Sequence, residues 1–170
     1  MNKKWRQIGL WLITALVLFG LWSLWRYYIS ADERAVRRQA ESAAELLNQT
    51  DRVTPLELAA KVNRLDHLVD APISVECEYA HLAGRHDRDD LKSLLMLYFK
   101  NVRHSQLAWG NLKVAVSPQR DRAEAAGTLT VNLLPESGSK YVIESRRCRL
   151  TFQKTADRWF LRQVKLEPSE

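Results

Sequence analysis

A chain of 170 residues, 46% hydrophobic and 27% charged, can bury one ordinary core; it is too apolar for a disordered tail and too short for two full domains. Its net charge of +6 is uneven, because residues 1–30 hold Lys3, Lys4, Arg6 and Arg26 and no acid. The remainder is close to neutral, which excludes the electrostatic footprint of a nucleic-acid-binding protein.

Residues 8–25 (IGLWLITALVLFGLWSLW) carry no charge, and as a helix would rise about 27 Å, close to the hydrocarbon thickness of a bilayer. Trp5 and Trp11 flank one end and Trp22, Trp25, Tyr27 and Tyr28 the other, as aromatic side chains do at membrane interfaces. The segment is too long for the core of a cleaved signal peptide, so 1–28 is expected to be an uncleaved anchor. Lys3, Lys4 and Arg6 favour an inside N-terminus, although Arg26, Arg34, Arg37 and Arg38 compete. The expected location is therefore a bacterial inner membrane crossed once, with the soluble domain in the periplasm.

Residues 29–52 are expected to be a juxtamembrane helix or stalk. Within 32–49, Val36, Ala40, Ala43 and Leu47 form a narrow apolar seam suited to docking on the domain. Thr54-Pro55-Leu56-Glu57 has the form of a helix start, continuing through Leu58, Val62, Leu65 and Val69 to Pro72. ISVECEY (73–79) alternates as a short strand, which Gly84 closes. Asp87 to Asp90 then supply acids for the start of a helix that places Leu91, Leu94, Leu95, Tyr98, Phe99 and Val102 on one face.

Beyond it the period changes to two. Leu112, Val114 and Val116 alternate, as do residues 122–134, 141–154 and the closing WFLRQVKL, with a hairpin loop at Glu136–Ser139 and a turn at Asp157-Arg158. Helices followed by four strands predict an α+β domain, helices packed on one face of a curved antiparallel sheet.

Two helices, a short strand, the GRHDRDDLKSLL helix and a meander ending in LTFQKTADRWFLRQVKL resemble the NTF2-like, cystatin-like cone superfamily over about residues 53–167. The terminal hairpin and AEAAGTLTV carry most of the likeness, and 53–170 is taken as that domain. An anchor ahead of such a cone is also the layout of type IV secretion inner-membrane assembly subunits and of Mce-associated membrane proteins.

The resemblance implies a conical pocket in which an Asp, His or Tyr handles protons. The candidates are Asp66, His67, Glu76, Glu78, Tyr79, His81, Tyr98 and His104. Asp66 and His67 are adjacent on a helix and point about 100° apart, so they make no dyad by themselves. Glu76 and Glu78 share a strand face, where two solvated acids are expected, and His81 with His86 lacks a third metal ligand. Cys77 and Cys148 are open to two readings, a disulfide or two separate buried thiols. No GxSxG, HExxH, P-loop or GxGxxG motif occurs.

No catalytic residue, cofactor or metal is therefore assigned. The expected function is a non-enzymatic interaction or assembly module of the cell envelope. It would be held in the membrane by residues 8–25 and bind an envelope protein or a second copy of itself. The alternative is a small-ligand binder or an enzyme of the ketosteroid-isomerase or dehydratase type. A cone filled by Leu, Phe and Trp would favour the first, and an open apolar cavity with an inward acid or His the second.

Overall fold

A computed structural model describes residues 17–20, 22, 31–70, 72–77 and 83–167. The expected anchor at 8–25 lies outside them, apart from 17–20 and 22, which are helical; no described helix is long and apolar enough to cross a membrane.

Beyond residues 17–20 and 22, three helices precede or interrupt the strands among the described residues. Helix α1 covers 31–46, and the seam read in its sequence docks on the domain: Val36 and Ala40 are fully buried, with Ala43 and Leu47 packed on the same core. Helix α2 (Pro55–Leu68) opens with the expected capping box, Thr54 accepting from the Glu57 backbone while the Glu57 carboxylate accepts from the Thr54 N–H. Helix α3 (Arg88–Asn101) begins the same way, with Asp87 and Asp90 as the reciprocal pair.

Six strands form one sheet in the order β2-β1-β6-β5-β4-β3. They are β1 (Ile73–Cys77), β2 (Gly84–His86), β3 (Val102–Val116), β4 (Arg122–Pro135), β5 (Val142–Thr155) and β6 (Arg158–Glu167). Strands β3 to β6 are the expected antiparallel meander, while β1 pairs parallel to β6. Two details depart from the sequence reading. β2 is an added short strand folded back on β1. β3 starts ten residues before Leu112, directly at the end of α3. Its inward positions Ser105, Leu107 and Trp109 do alternate, but the buried serine and a register shift between Gly110 and Lys113 mask the pattern.

The β5–β6 hairpin turns on two residues, Ala156 and Asp157, both at positive φ (47° and 61°). Twist favours such a turn, yet an alanine in the left-handed region meets a steric cost that glycine avoids. Ala156→Gly is expected to stabilise the domain by about 0.5–1 kcal/mol, read as a higher urea midpoint with an unchanged slope.

Candidate functional site

The helices and the inner face of the sheet do not close on each other. Between them lies a cavity of about 650 Å³, within the range of small-molecule sites. Its wall is supplied by every layer of the fold. Leu91, Leu94 and Leu95 come from α3, Leu65 and Leu68 from α2, and Ala43 and Leu46 from α1. Leu129, Val131 and Leu133 project from β4, and Leu150, Leu161 and Leu166 from the strands beyond it. These are the apolar faces read in the sequence. They pack into one core around the cavity without filling it, and the expectation of a packed, non-enzymatic scaffold is corrected on that ground.

Polarity is confined to a few places. Among the described lining residues only Glu144, Arg146 and Glu167 are charged. Glu144 and Arg146 follow each other on the inner face of β5, with Arg146 Nη2 donating to Glu144 at 3.1 Å. This end reaches solvent, for the Glu144 side chain is 51% exposed and Val142 beside it 45%. The opposite end, around Leu68, Val69, Ile73 and Leu161, is buried.

Among the described candidates Tyr98 alone lines the cavity, and its hydroxyl is already engaged. It donates to the Leu47 carbonyl at 3.2 Å, which also accepts from Ser105 Oγ at 2.5 Å. Burial raises the phenol above its ordinary pKa, only partly offset by the neighbouring Ser105, so it is a protonated structural donor at neutral pH. Trp109 Nε1 is committed likewise, donating to Ala40 at 2.9 Å.

These bonds belong to a polar clamp on the end of α1. Lys61 Nζ donates to the carbonyls of Leu46 and Asn48 at 2.9 and 2.7 Å, Leu107 N–H donates to Asn48 Oδ1, and Gln49 exchanges backbone bonds with Ser105. The orphan carbonyls of the helix end are satisfied this way, and one wall of the cavity is fastened to β3 and α2.

The other candidates lie elsewhere. Asp66 pairs on the surface with Lys92 at 3.1 Å and Arg88 at 3.6 Å, and His67 is exposed. Glu76 accepts from Gln163 at 2.6 Å across the β1–β6 pair. His104 lies 3.3 Å from the Thr50 carbonyl and packs edge-on against Tyr141. Glu78, Tyr79 and His81 fall outside the described residues, and no metal-binding group of three ligands occurs among the described ones.

Cys77 and Cys148 are both free. Each is the register partner of Leu166, on β1 and β5 respectively, so β6 runs between them. Two strand spacings put their Cα atoms roughly 9–10 Å apart, beyond disulfide reach. Burial pushes the Cys148 thiol up to about 12, which leaves it a protonated, unreactive wall residue.

No family model matches the chain, and neither does any curated protein. Solved structures do. The fold is similar to hexachlorocyclohexane dehydrochlorinase LinA type 2, at 9% identity and a TM-score of 0.65, covering 81% of this chain and 84% of that one. It is similar to a Nuclear transport factor 2 (NTF2-like) superfamily protein of Salmonella enterica serovar Typhimurium, at 10% identity and a TM-score of 0.65, covering 83% and 94%. It is also similar to the association domain of C. elegans CaMKII, at 14% identity and a TM-score of 0.60, covering 83% and 98%. At these identities the likeness establishes the fold, which is the NTF2-like α+β cone.

Two expectations are overturned here. The cone is open rather than filled, and a dehydrochlorinase shares the fold, so the assignments "non-enzymatic" and "assembly module" are withdrawn. The likeness to secretion-system subunits, drawn from layout alone, gains no support from these structures.

Proposed function

We propose that this chain is a small-ligand protein of the NTF2-like fold, taking a largely apolar molecule into the cone. The observation that carries the reading is the cavity of about 650 Å³, apolar throughout except at the Glu144–Arg146 end. A void of that size forfeits packing contacts on all its walls, and evolution tolerates such a loss most readily where a ligand restores them.

A second reading, turnover of the bound molecule, is favoured by one feature. Glu144 places a carboxylate base on the lining, and Arg146 beside it is a cation suited to the anion that proton removal creates. The fold shared with a dehydrochlorinase supports this reading.

The anchor and its location complete the proposal. Val17, Leu18 and Phe19 are helical and more than half exposed, which suits a segment surrounded by lipid. With the basic N-terminus inside, the cone would stand on the periplasmic side of a bacterial inner membrane. The fold similarity to an association domain supports self-association there.

The test is a thermal-shift screen of the full-length protein in lipid nanodiscs against apolar and amphiphilic small molecules. A ligand at 100 times its Kd is expected to stabilise the fold by about 2.7 kcal/mol. The gain should vanish in Leu129→Trp, which fills the cavity. Shifts that persist undiminished in the folded variant would sink the proposal.

A further inference from the structure

On the footing of the small-ligand reading above, the walls decide which part of a ligand is recognised. Among the described lining residues the interior is Leu, Val, Ile and Ala, two cysteines, Tyr98 and Trp109. Both aromatic side chains spend their polar hydrogens, Tyr98 on the Leu47 carbonyl and Trp109 on that of Ala40. A hydroxyl or amide set among these groups would lose its water and gain no strong partner. Solvent brings no relief at the closed end, where Leu68, Val69, Ile73 and Leu161 are each less than 8% exposed.

The other end is charged, wet and already paired. Arg146 gives Nε and Nη2 to Glu144 at 3.3 and 3.1 Å, and the Glu144 side chain is half exposed. Glu167, the third charged lining residue, lies 3.9 Å from Arg149 and keeps a third of its side chain in water. An apolar tip pressed over these ions would strip their hydration and return nothing, whereas a polar tip leaves it in place. Ions that are paired and in contact with water discriminate little by charge, since solvent and salt screen them.

We propose that the cone binds an amphiphile by its apolar body alone, while the polar head, of whatever charge, stays in water beside Glu144 and Arg146. At about 30 Å³ per heavy atom, the cavity of about 650 Å³ holds a body of roughly 20 such atoms. Specificity then lies in the continuity of that body. A polar group part-way along it excludes a molecule, and a change of head group does not.

The experiment uses full-length protein in nanodiscs and a photoprobe, hexadecanol carrying a diazirine near its methyl end. After irradiation the labelled peptides are mapped, and competitors are compared at equal mole fraction in the disc. Label is expected on cavity-wall peptides such as 65–73 and 150–161. Hexadecanol, hexadecanoate and hexadecyltrimethylammonium should compete within fivefold of one another, and Arg146→Gln should leave them so. By contrast, 8-hydroxyhexadecanoate should compete more than fivefold worse than hexadecanoate. Leu129→Trp and Leu94→Phe, fillers from opposite walls, should each abolish the label.

A preference above fivefold for one head group, or an 8-hydroxy chain competing within fivefold of the plain one, would overturn recognition by the body alone and leave the pocket reading standing. Label confined to residues 8–25, or unchanged in both folded filler variants, would overturn both.

Discussion

Asp32→Asn is expected to destabilise the domain by about 3 kcal/mol. Asp32 is 7% exposed in α1 and gathers four donors from the far end of the sheet. Arg120 donates from Nε at 2.7 Å and again from Nη2, Lys154 Nζ lies at 3.2 Å, and Trp159 Nε1 at 3.3 Å. Burial alone would raise its pKa, but the bonds from Arg120, Lys154 and Trp159 outweigh it and leave the carboxyl below its ordinary value. Removing the charge leaves two cations facing an amide, at the lower end of the cost of breaking a buried pair because both keep some contact with water.

The sign of the pH dependence follows. A carboxylate depressed in the folded state stabilises above its unfolded pKa of about 3.9, and the contribution is lost as pH falls through the lower folded value. Urea midpoints taken from pH 7 down to pH 3 should therefore fall more steeply in the wild type than in Asp32→Asn. Parallel curves would show that the contact contributes nothing.

The second large effect is Phe152→Ala, expected to cost about 3–5 kcal/mol. Phe152 is fully buried in the same core cluster as Leu150 and Trp159, and it does not line the cavity. Its truncation opens a void in tight packing. Leu94→Ala, by contrast, only enlarges a void already present, so the loss should be near the transfer value of about 2 kcal/mol. Chemical denaturation of both variants checks the contrast. Equal losses would show that the cavity is collapsed in solution.

Local rules carried the sequence reading a long way. The capping boxes at Thr54 and Asp87 obey three-residue logic, and both appear where the residues place them. Period-two alternation located β4, β5 and β6, because their inward faces are apolar over most of their length. In β3 it caught Leu112 to Val116 but missed the first ten residues, where Ser105 holds a core position for the sake of the Leu47 carbonyl. The site was less legible still. Leu, Val and Ile read the same whether their side chains meet or stand apart, so the pattern that predicted a core could not distinguish it from a cavity wall. Nothing local in the sequence marks Glu144 as a cavity acid, and nothing marks Asp32 as a buried one, since its partners lie 88 to 127 positions away.

The parallel pairing of β1 with β6 has a consequence in time. Ser74 finds its partner Gln163 about 90 positions further along the chain, so this register closes only after the intervening hairpins have formed. Until then α2 and β1 have no sheet to rest on, and the leucines of the future pocket face the solvent together. The late step in assembly is thus the one that gives the interior its second side, and a chain delayed there offers a sticky surface to its neighbours.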